Sequence, residues 1–446
     1  MVGTRLLDKV DSDTALPQAV DVIVIGAGII GVAAAYAAAK AGHSVALLEK
    51  GIVAGEQSSR NWGWCRVLNR DEREIPLMQH SMELWDRLPA EIGADMGFRR
   101  AGLTYVTKDP AQLATWQDWL DRAQPYQVRA QVIDAAEAKR RTPGNEQNWV
   151  GGVVSPFDGR AEPAMAAPAL ARAARALGVS LHQNCAVRGL DTQGGRIAGV
   201  FTEKGRIRCH SVVLAGGAWA SMFLRRHGIE MPQSSIHSTV FATTPARQVS
   251  PGPLLTPDFI LTPLLDGGYL VAARARGRLE LTPAGLRHAR HFLPSLRANW
   301  KLLELRLGRS FFEGPDAWHG RWSFDAPTVF ERMRVLHPRP KMSIIAPSLR
   351  EIVAAYPELA GIQAARIWAG WIDSTPDAVP VIAKVAALPG LVVAAGFSGH
   401  GFGIGPGAGR LAADLATDGP CIVDPAPFSL ERFAPGAPRT TVRAGI

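Results

Sequence analysis

Three glycines near the start of the chain have the spacing of a nucleotide-binding turn. Gly26, Gly28 and Gly31 form the pattern G-x-G-x-x-G, and Glu49 follows eighteen residues after the last of them. In such a turn the first glycine allows a tight bend, the second lets the backbone approach a diphosphate, and the third lets a helix pack closely against a strand. A carboxylate at the distance of Glu49 accepts hydrogen bonds from ribose hydroxyls. The spacing therefore predicts a site for FAD or NAD.

The elements that must position these residues lie directly around them. Residues 21–25 are a β-branched run that predicts a strand buried on both faces, and residues 32–40 are rich in helix formers. Residues 44–48 predict a second strand that ends beside Glu49. The order strand, glycine turn, helix and strand places a helix N-terminus against the diphosphate. It also explains the apolar stretch 22–39 better than a membrane helix does.

Two later stretches favour FAD over NAD. Residues 211–220 and 391–403 each predict a buried strand that runs into a glycine turn, so the cofactor domain is expected to be discontinuous. The motifs R-I-W-A-G at 366–370 and T-P-D at 375–377 precede the last of these strands. From about Asp21 to Arg432 the sequence resembles the FAD-dependent D-amino acid oxidase superfamily, especially its bacterial D-amino acid dehydrogenase and glycine oxidase branch.

The resemblance implies an α/β fold with two domains. The first is a discontinuous FAD-binding domain, Rossmann-like and of the glutathione reductase type, expected over 21–92, 151–232 and 364–434. The second is a substrate domain with a mixed β-sheet, expected over 93–150 and 233–363. Residues 239–243 and 268–272 have the β-rich character of strands in that sheet.

The resemblance also implies which residues bind the cofactor. The segment 58–60 is expected at the diphosphate and the start of the flavin, 186–187 at the adenine, and the turn at 399–401 at the pyrimidine end, before a helix over 406–415. Noncovalent FAD is expected, because no residue matches the usual attachment points and Cys65 is better interpreted as a free thiol. The predicted FAD-binding residues are Gly26, Gly28, Ile29, Ile30, Gly31, Glu49, Lys50, Ser58, Ser59, Arg60, Ala186, Val187, Ala215, Gly216, Gly217, Gly370, Gly399, His400, Gly401, Phe402 and Gly403.

The sequence departs from the family where relatives carry an arginine for the substrate carboxylate. Ile372 stands at the arginine position of the W-x-G-x-R-P motif, and Thr262 stands at that of Y-x-R-P. Because a small zwitterion needs an ion pair to offset its desolvation, glycine and D-alanine are disfavoured as substrates. Arg66 is the first candidate for a replacement, followed by the three arginines Arg274, Arg276 and Arg321. For each of these, a salt bridge with no role in the site is the alternative.

Four residues are predicted to act on the substrate. Arg66 is expected to face the flavin, with Trp64 beside it to exclude water. Trp371 adjoins the replaced arginine position and is interpreted about equally well as part of the pocket or as core. Asp373 either binds the substrate amine or orients its loop. For His400, a backbone contact with the flavin is favoured over a role as a base or an attachment point.

The predicted reaction is FAD-dependent oxidation of the C–N bond of a bulky or apolar amino acid, with the D configuration favoured. A hydride passes to flavin N5, and the imine hydrolyses to a 2-oxo acid. Two alternatives remain, oxidation of a secondary amine such as sarcosine, an opine or an imino acid, and a non-catalytic FAD subunit of a larger oxidase. The electron acceptor, whether a quinone, oxygen or another compound, is left open, as is the oligomeric state.

Composition narrows the partners and the compartment. The 446 residues carry a formal charge of +9, which favours anionic partners, but no nucleic-acid-binding module accompanies it. The four cysteines have no metal-ligand spacing, so neither a metal site nor disulfides are expected. The first twenty residues do not form a signal peptide, and a cytoplasmic location is expected. The basic stretch 274–309 could contact an inner membrane peripherally, although a solvated helix is favoured.

Overall fold

Two large β-sheets organise the chain. The computed structural model describes residue 3 and the ranges 6–273, 277–299, 303–317 and 322–437. In chain order its strands are β1 (Val22–Ile25), β2 (Val45–Leu48), β3 (Trp64–Cys65), β4 (Leu103–Thr107), β5 (Gln131–Asp134), β6 (Gly151–Ser155), β7 (Gly159–Arg160), β8 (Ser180–His182), β9 (Val187–Gln193), β10 (Arg196–Thr202), β11 (Gly205–Arg208), β12 (Ser211–Leu214), β13 (Ser234–Thr243), β14 (Leu254–Leu255), β15 (Phe259–Pro263), β16 (Tyr269–Ala273), β17 (Gly277–Leu281), β18 (Leu303–Leu307), β19 (Ala364–Ser374), β20 (Val381–Lys384) and β21 (Leu391–Ala395). Its α-helices are α1 (Ile29–Lys40), α2 (Ile75–Ile92), α3 (Pro110–Ala123), α4 (Ala135–Arg141), α5 (Ala166–Ala176), α6 (Ala220–Arg226), α7 (Pro283–Arg287), α8 (Ala289–Asn299), α9 (Val329–Arg332), α10 (Ile345–Ala355) and α11 (Gly401–Ala416).

The first sheet carries the predicted nucleotide turn. Its strand order is β20, β21, β12, β1, β2 and β8, and every neighbouring pair is parallel except β20 with β21. Strand β1 lies in its interior, and Val22, Ile23 and Val24 are buried, as expected for a strand covered on both faces. Because β12 and β21 run parallel to β1, the three glycine turns that follow these strands lie at the same edge of the sheet.

Helices α1 and α11 pack against each other through very small residues. A Cβ atom on Gly405 would lie 2.8 Å from Ile29 Cγ1, and one on Gly409 would lie 2.5 Å from Ala33 Cβ. Helix α11 begins at Gly401, five residues earlier than the sequence predicted, and therefore contains Pro406. Glycine has a poor helix propensity, but close packing of the glycine-rich first turns against α1 outweighs it.

The second sheet is mixed, as expected for the substrate domain. Its order is β18, β17, β13, β16, β15, β14, β4, β6 and β5, with β19 also paired to β13. The pairs β17–β18 and β14–β4 are parallel and the others are antiparallel. The predicted strands at 239–243 and 268–272 lie within β13 and β16. The long β13–β19 ladder places Trp371 opposite His237 and Ile372 opposite Ile236.

Two strands lie in a different sheet from the one their predicted segment implied. Strand β6 pairs with β4 and β5, and β19 pairs with β13, so both belong to the second sheet. The predicted boundaries at 151 and 364 assigned them to the FAD-binding domain. Both stand at the edge of a segment, where apolar character predicts a strand but not its partner.

Three further predictions concern membrane helices, metal sites and the basic stretch 274–309. Within the described residues, no helix is long and apolar enough to cross a membrane, and no cluster of three or more His, Cys, Asp or Glu residues could hold a metal ion. Of the basic stretch 274–309, the structure describes α7, α8, β17 and β18, with Arg278 paired to Glu280 at 2.7 Å. Membrane contact through this stretch stays a prediction.

Candidate active site

One large cavity collects most of the predicted site residues. The space inside it, counted out to open solvent, is about 1870 Å³. The two sheets both contribute to its wall. The predicted residues that line it are Gly26, Gly28, Ile29, Ile30, Glu49, Lys50, Ser58, Arg60, Trp64, Arg66, Val187, Ala215, Gly216, Gly217, Gly370, Trp371, Asp373, Gly399, His400, Gly401 and Phe402.

The turn after β1 has the geometry that a dinucleotide site requires. Gly26 has a φ of +101°, and a Cβ atom there would lie 2.4 Å from the carbonyl oxygen of Ala215. A Cβ atom on Gly31 would lie 1.9 Å from the carbonyl oxygen of Gly26. Side chains at either position would therefore fill the cradle between α1 and the second glycine turn. The empty space above glycine backbone and a helix N-terminus fits the diphosphate of FAD.

Two polar side chains complete this dinucleotide end of the cavity. Ser58 Oγ accepts a hydrogen bond of 2.9 Å from the N–H of Ile29 and so lies at the N-terminus of α1. Glu49 Oε2 and Oε1 each accept a 2.8 Å bond, from the N–H groups of Ala27 and Gly51 respectively. Burial raises the pKa of Glu49, while Lys50 and these N–H donors act in the opposite direction. Glu49 thus connects the glycine turn to the end of β2.

A polar group around Glu56, a residue that the sequence did not predict, covers this end. Glu56 accepts hydrogen bonds from Lys50 Nζ at 2.6 Å, from the N–H of Leu336 at 3.0 Å, and from Trp219 Nε1. Lys50 Nζ also lies 4.6 Å from the centre of the Trp219 ring. Arg334 lines the cavity and pairs with Glu203. Trp219 and Leu336 lie more than a hundred residues from Glu56 and from each other, so local sequence carries no signal for these contacts.

Arg60 is buried and connects loops at the middle of the cavity. Its Nη1 donates to the carbonyl oxygen of Ala369 at 3.1 Å, and its Nη2 donates to that of Gly55 at 3.0 Å. The same Nη2 lies 2.7 Å from His337 Nδ1. Arg60 Nε has no hydrogen-bond partner among the described residues. Burial lowers the pKa of Arg60, and Glu56 opposes that shift.

Four predicted cofactor residues lie behind the cavity wall. Gly31 allows α1 to approach the turn, and Ser59 Oγ donates to the carbonyl oxygen of Glu56 at 3.2 Å. Ala186 is held through its N–H by Glu203 Oε1 at 2.6 Å. At Gly403, a Cβ atom would lie 2.6 Å from the carbonyl oxygen of Trp64. These residues shape the wall without facing the cavity.

The turn before α11 presents both backbone and a histidine ring. Gly399 has a φ of +82°, and the N–H of His400 donates to the carbonyl oxygen of Phe397 at 2.7 Å. Burial, together with Arg70, lowers the pKa of His400 to about 4, so its ring is neutral at physiological pH. Glu74 Oε2 lies 3.4 Å from His400 Nδ1. The sequence predicted a backbone role for this turn but gave no signal for the buried Glu74 beneath it.

The opposite end of the cavity is built from large side chains. Trp64 Nε1 donates to Thr262 Oγ1 at 2.7 Å, and the Trp64 ring stacks on Tyr105 with 5.9 Å between centroids. Thr262, at a position where the resemblance implies an arginine, therefore anchors a tryptophan. Ile372, at the other such position, lines the cavity. Beside it, the Trp371 ring meets His237 edge-on at 5.5 Å.

The two charged residues predicted to act on the substrate differ in their surroundings. Arg66 is buried on the cavity wall, with its guanidinium 5.8 Å from the centre of the Trp64 ring and Nη1 donating to the carbonyl oxygen of Leu68. Asp373 Oδ2 accepts from the N–H of Gly396 at 2.9 Å and from Gln233 Nε2 at 3.1 Å. Burial raises the pKa of Asp373 to about 6. These contacts favour an orienting role for Asp373.

The remaining predicted residues are three arginines and a possible flavin attachment point, Cys65. Arg274, Arg276 and Arg321 lie outside the described residues. Cys65 is buried behind the wall, and burial raises the pKa of its thiol. That environment favours an unreactive thiol.

Comparisons with known proteins agree with this geometry. Residues 21–415 match the family described as FAD dependent oxidoreductase. The β subunit of sarcosine oxidase from an Arthrobacter species is 27% identical over 426 residues, which cover 93% of this chain and 91% of that protein. Glycine oxidase from Pseudomonas aeruginosa is 26% identical, over 92% of this chain and 98% of that protein. The structure of L-amino acid deaminase from Proteus myxofaciens, in complex with anthranilate, superposes with a TM-score of 0.90 at 30% identity, over 96% and 97% of the two chains.

Proposed function

The chain belongs to the family of FAD-dependent oxidoreductases, as an enzyme of amino acid or amine oxidation, and we propose that its substrate is a bulky, apolar α-amino acid. The observation that carries this proposal is what the structure shows at the two positions where the resemblance implies an arginine. Ile372 lines the cavity, and Thr262 is occupied as the acceptor for Trp64 Nε1. An apolar wall favours an apolar substrate side chain.

The residues of the chain then have distinct tasks. Arg66 binds the substrate carboxylate, because its buried guanidinium lies on the cavity wall and is suited to a carboxylate. Trp64 and Trp371 exclude water from the reacting carbon. Asp373 holds the turn before α11 through the N–H of Gly396. When bound, FAD supplies the acceptor for the hydride that leaves the carbon bearing the amine.

The chemistry outside the cofactor is simple. The substrate loses a hydride from its α-carbon and a proton from its nitrogen, which leaves an imine. Water then adds to the imine, and ammonia leaves to give a 2-oxo acid. The neutral amine is the form that reacts, and the scheme needs no dedicated basic side chain.

For the configuration at the α-carbon, two observations point in different directions. The motifs of the sequence favoured a D-amino acid. The similarity to the Proteus L-amino acid deaminase, at 30% identity and a TM-score of 0.90, supports the L enantiomer. We propose the L configuration, which the two enantiomers of leucine and phenylalanine test directly.

The cofactor is proposed to be held noncovalently. Cys65 lies behind the cavity wall, and His400 is packed against Glu74. Acid precipitation should therefore release yellow FAD into the supernatant. Flavin that stays with the denatured chain would contradict this and point to the ring of His400, which lines the cavity.

The proposed substrate class is tested by dye-linked kinetics over a series of amino acids. Leucine has three more carbons than alanine, and at about 0.8 kcal/mol per buried CH₂ their contribution is about 2.4 kcal/mol. The value of kcat/KM should therefore be up to about fifty-fold higher for leucine. A best substrate no larger than alanine would contradict the proposal.

Two other outcomes identify the alternatives. Sarcosine or another N-methyl amino acid as the best substrate would indicate an enzyme that oxidises secondary amines. The similarity to the β subunit of sarcosine oxidase is the reason to include these compounds in the series. FAD-loaded protein without turnover on any amino acid or amine would indicate a non-catalytic subunit. Oxygen consumption measured beside dye reduction distinguishes an oxidase from a dehydrogenase.

A further inference from the structure

A buried cluster of ionisable side chains lies beside Arg66 at the substrate end of the cavity. Arg70, Glu74 and His400 are exposed by only 2%, 0% and 5%, and Arg70 and His400 line the cavity wall. Buried polar groups are normally hydrogen-bonded. Here Arg70 Nη1, both Glu74 oxygens and both His400 ring nitrogens have no hydrogen-bond partner among the described residues.

Arg70 is the member of this cluster whose charged side chain most requires a further hydrogen-bond acceptor. Its Nε donates to the carbonyl oxygen of Arg66 at 3.3 Å, and its own carbonyl oxygen accepts from Trp119 Nε1 at 2.7 Å. Its backbone is therefore held in place, while its Nη1 has no hydrogen-bond partner among the described residues. Burial, together with Arg66, lowers the pKa of Arg70 to about 9, so it is still charged at neutral pH.

The neighbouring acids do not supply the missing acceptor. Both oxygens of Asp158 are occupied by backbone donors, with Oδ1 accepting from the N–H of Val67 at 2.7 Å and Oδ2 from that of Leu68 at 3.1 Å. Glu74 Oε2 lies 3.4 Å from His400 Nδ1, and neither Glu74 oxygen accepts a hydrogen bond from the described residues. A charged, buried guanidinium on a cavity wall, whose Nη1 has no acceptor among the described residues, is suited to an acceptor that arrives with a ligand.

We propose that Arg70 is the second guanidinium of the carboxylate subsite and binds the substrate carboxylate together with Arg66. The inference rests on the proposed function, because that function supplies a carboxylate at this end of the cavity. Two guanidinium groups four residues apart in the loop after β3 would replace the arginines absent at Ile372 and Thr262. The neutral ring of His400 adds no competing positive charge.

The test measures ligand binding to the FAD-loaded enzyme, without turnover. Benzoate and benzamide have the same apolar ring but differ in charge, and each is titrated while the flavin absorbance is followed. In Arg70→Met the dissociation constant for benzoate should rise more than tenfold, and that for benzamide should change less than twofold. Arg70→Lys should recover part of the benzoate affinity, because lysine keeps the charge but not the fork of two donors.

A matched control removes an arginine from the same region without touching the cavity. Arg122 on α3 is 44% exposed and pairs with Glu72 at 2.6 Å, so Arg122→Met should leave benzoate binding within twofold. A folded, FAD-loaded Arg70→Met that binds benzoate as the wild type does overturns the proposal, as does a wild type that binds no benzoate. If Arg70→Met does not fold, Arg70→Lys decides, and an unchanged benzoate affinity there also overturns it.

The proposed function is judged separately by the kinetics of the wild type. Turnover of leucine with unchanged benzoate affinity in Arg70→Met would remove Arg70 from the subsite and leave the function intact. Benzoate binding that depends on Arg70 without turnover of bulky amino acids would leave the subsite and overturn the function.

Discussion

The two ends of the cavity differ in whether backbone or side-chain atoms form the wall. At the dinucleotide end the wall is backbone, with Gly26, Gly28 and Gly216 bringing main-chain atoms to the surface. At the substrate end the wall is made of large side chains, chiefly Trp64 and Ile372. The first end is determined by residues that leave space, and the second by residues that fill it.

This difference determines how each end responds to substitution. A cradle of backbone has no rotamers with which to adapt, so one added methyl group displaces a helix or a turn. A wall of side chains can rearrange, and substitution there changes affinity and selectivity before it destroys binding. The dinucleotide end should therefore lose function completely, and the substrate end gradually.

The largest effect is expected from Gly31→Ala. Its Cβ atom would lie 1.9 Å from the carbonyl oxygen of Gly26, and neither backbone can rotate away. Overpacking among side chains costs about 1–3 kcal/mol, and a collision between backbone elements should cost more. The purified variant should be colourless, with no FAD released on denaturation.

Gly42→Ala is the control for this substitution. Gly42 has a φ of +93° and follows the same helix, but no atom lies within 4 Å of its added Cβ. Backbone strain alone should cost about 1–3 kcal/mol and leave the FAD content unchanged. Equal loss of FAD in both variants would show that the local turn matters, and not the closeness of α1.

A tenfold to hundredfold effect is expected from Glu49→Gln. Each carboxylate oxygen accepts one backbone N–H at 2.8 Å, and an amide nitrogen would face one of these donors. Hydrogen bonds to charged groups contribute about 1.5–3 kcal/mol. The dissociation constant of FAD should therefore rise about tenfold to hundredfold in a titration of the apoprotein.

Asp21→Asn provides the matched control for Glu49. Asp21 stands at the other end of β1 and accepts a 2.8 Å bond from the N–H of Ser44, far from the glycine turn. Its replacement should leave FAD affinity within twofold. If Glu49→Gln and Asp21→Asn bind FAD equally well, Glu49 is not part of the dinucleotide end.

The same contrast explains which parts of the molecule could be predicted. The family, the FAD cofactor and the fold class are confirmed, because the G-x-G-x-x-G turn and its flanking strands are local features that a short stretch of sequence specifies. The pairing of Trp64 with Thr262 joins residues 198 positions apart. Arg70 and Glu74 belong to no motif, and only the tertiary structure brings Arg70 to the cavity wall and Glu74 against His400. Selection of sheet partners by β6 and β19 was equally non-local.

The smallest effect is expected from Thr262→Val, which tests the side-chain wall. The substitution removes the acceptor for Trp64 Nε1 at almost constant volume, and a buried donor left without a partner costs about 1–3 kcal/mol. The released indole should widen the substrate end and raise the KM for leucine several-fold. The affinity for FAD should not change, because Thr262 does not line the cavity.

Thr142→Val is the control that separates a general loss of stability from an effect on substrate binding in this last experiment. Trp149 Nε1 donates to Thr142 Oγ1 at 2.9 Å, so the chain contains the same buried Trp–Thr bond away from the cavity. Thr142→Val should lower thermal stability at least as much as Thr262→Val does, since Thr142 Oγ1 also donates to the carbonyl oxygen of Ala138 at 2.8 Å. Its KM for leucine should equal that of the wild type. If both variants raise KM alike, the effect of Thr262→Val comes from general loosening, and Trp64 is not the wall that selects the substrate.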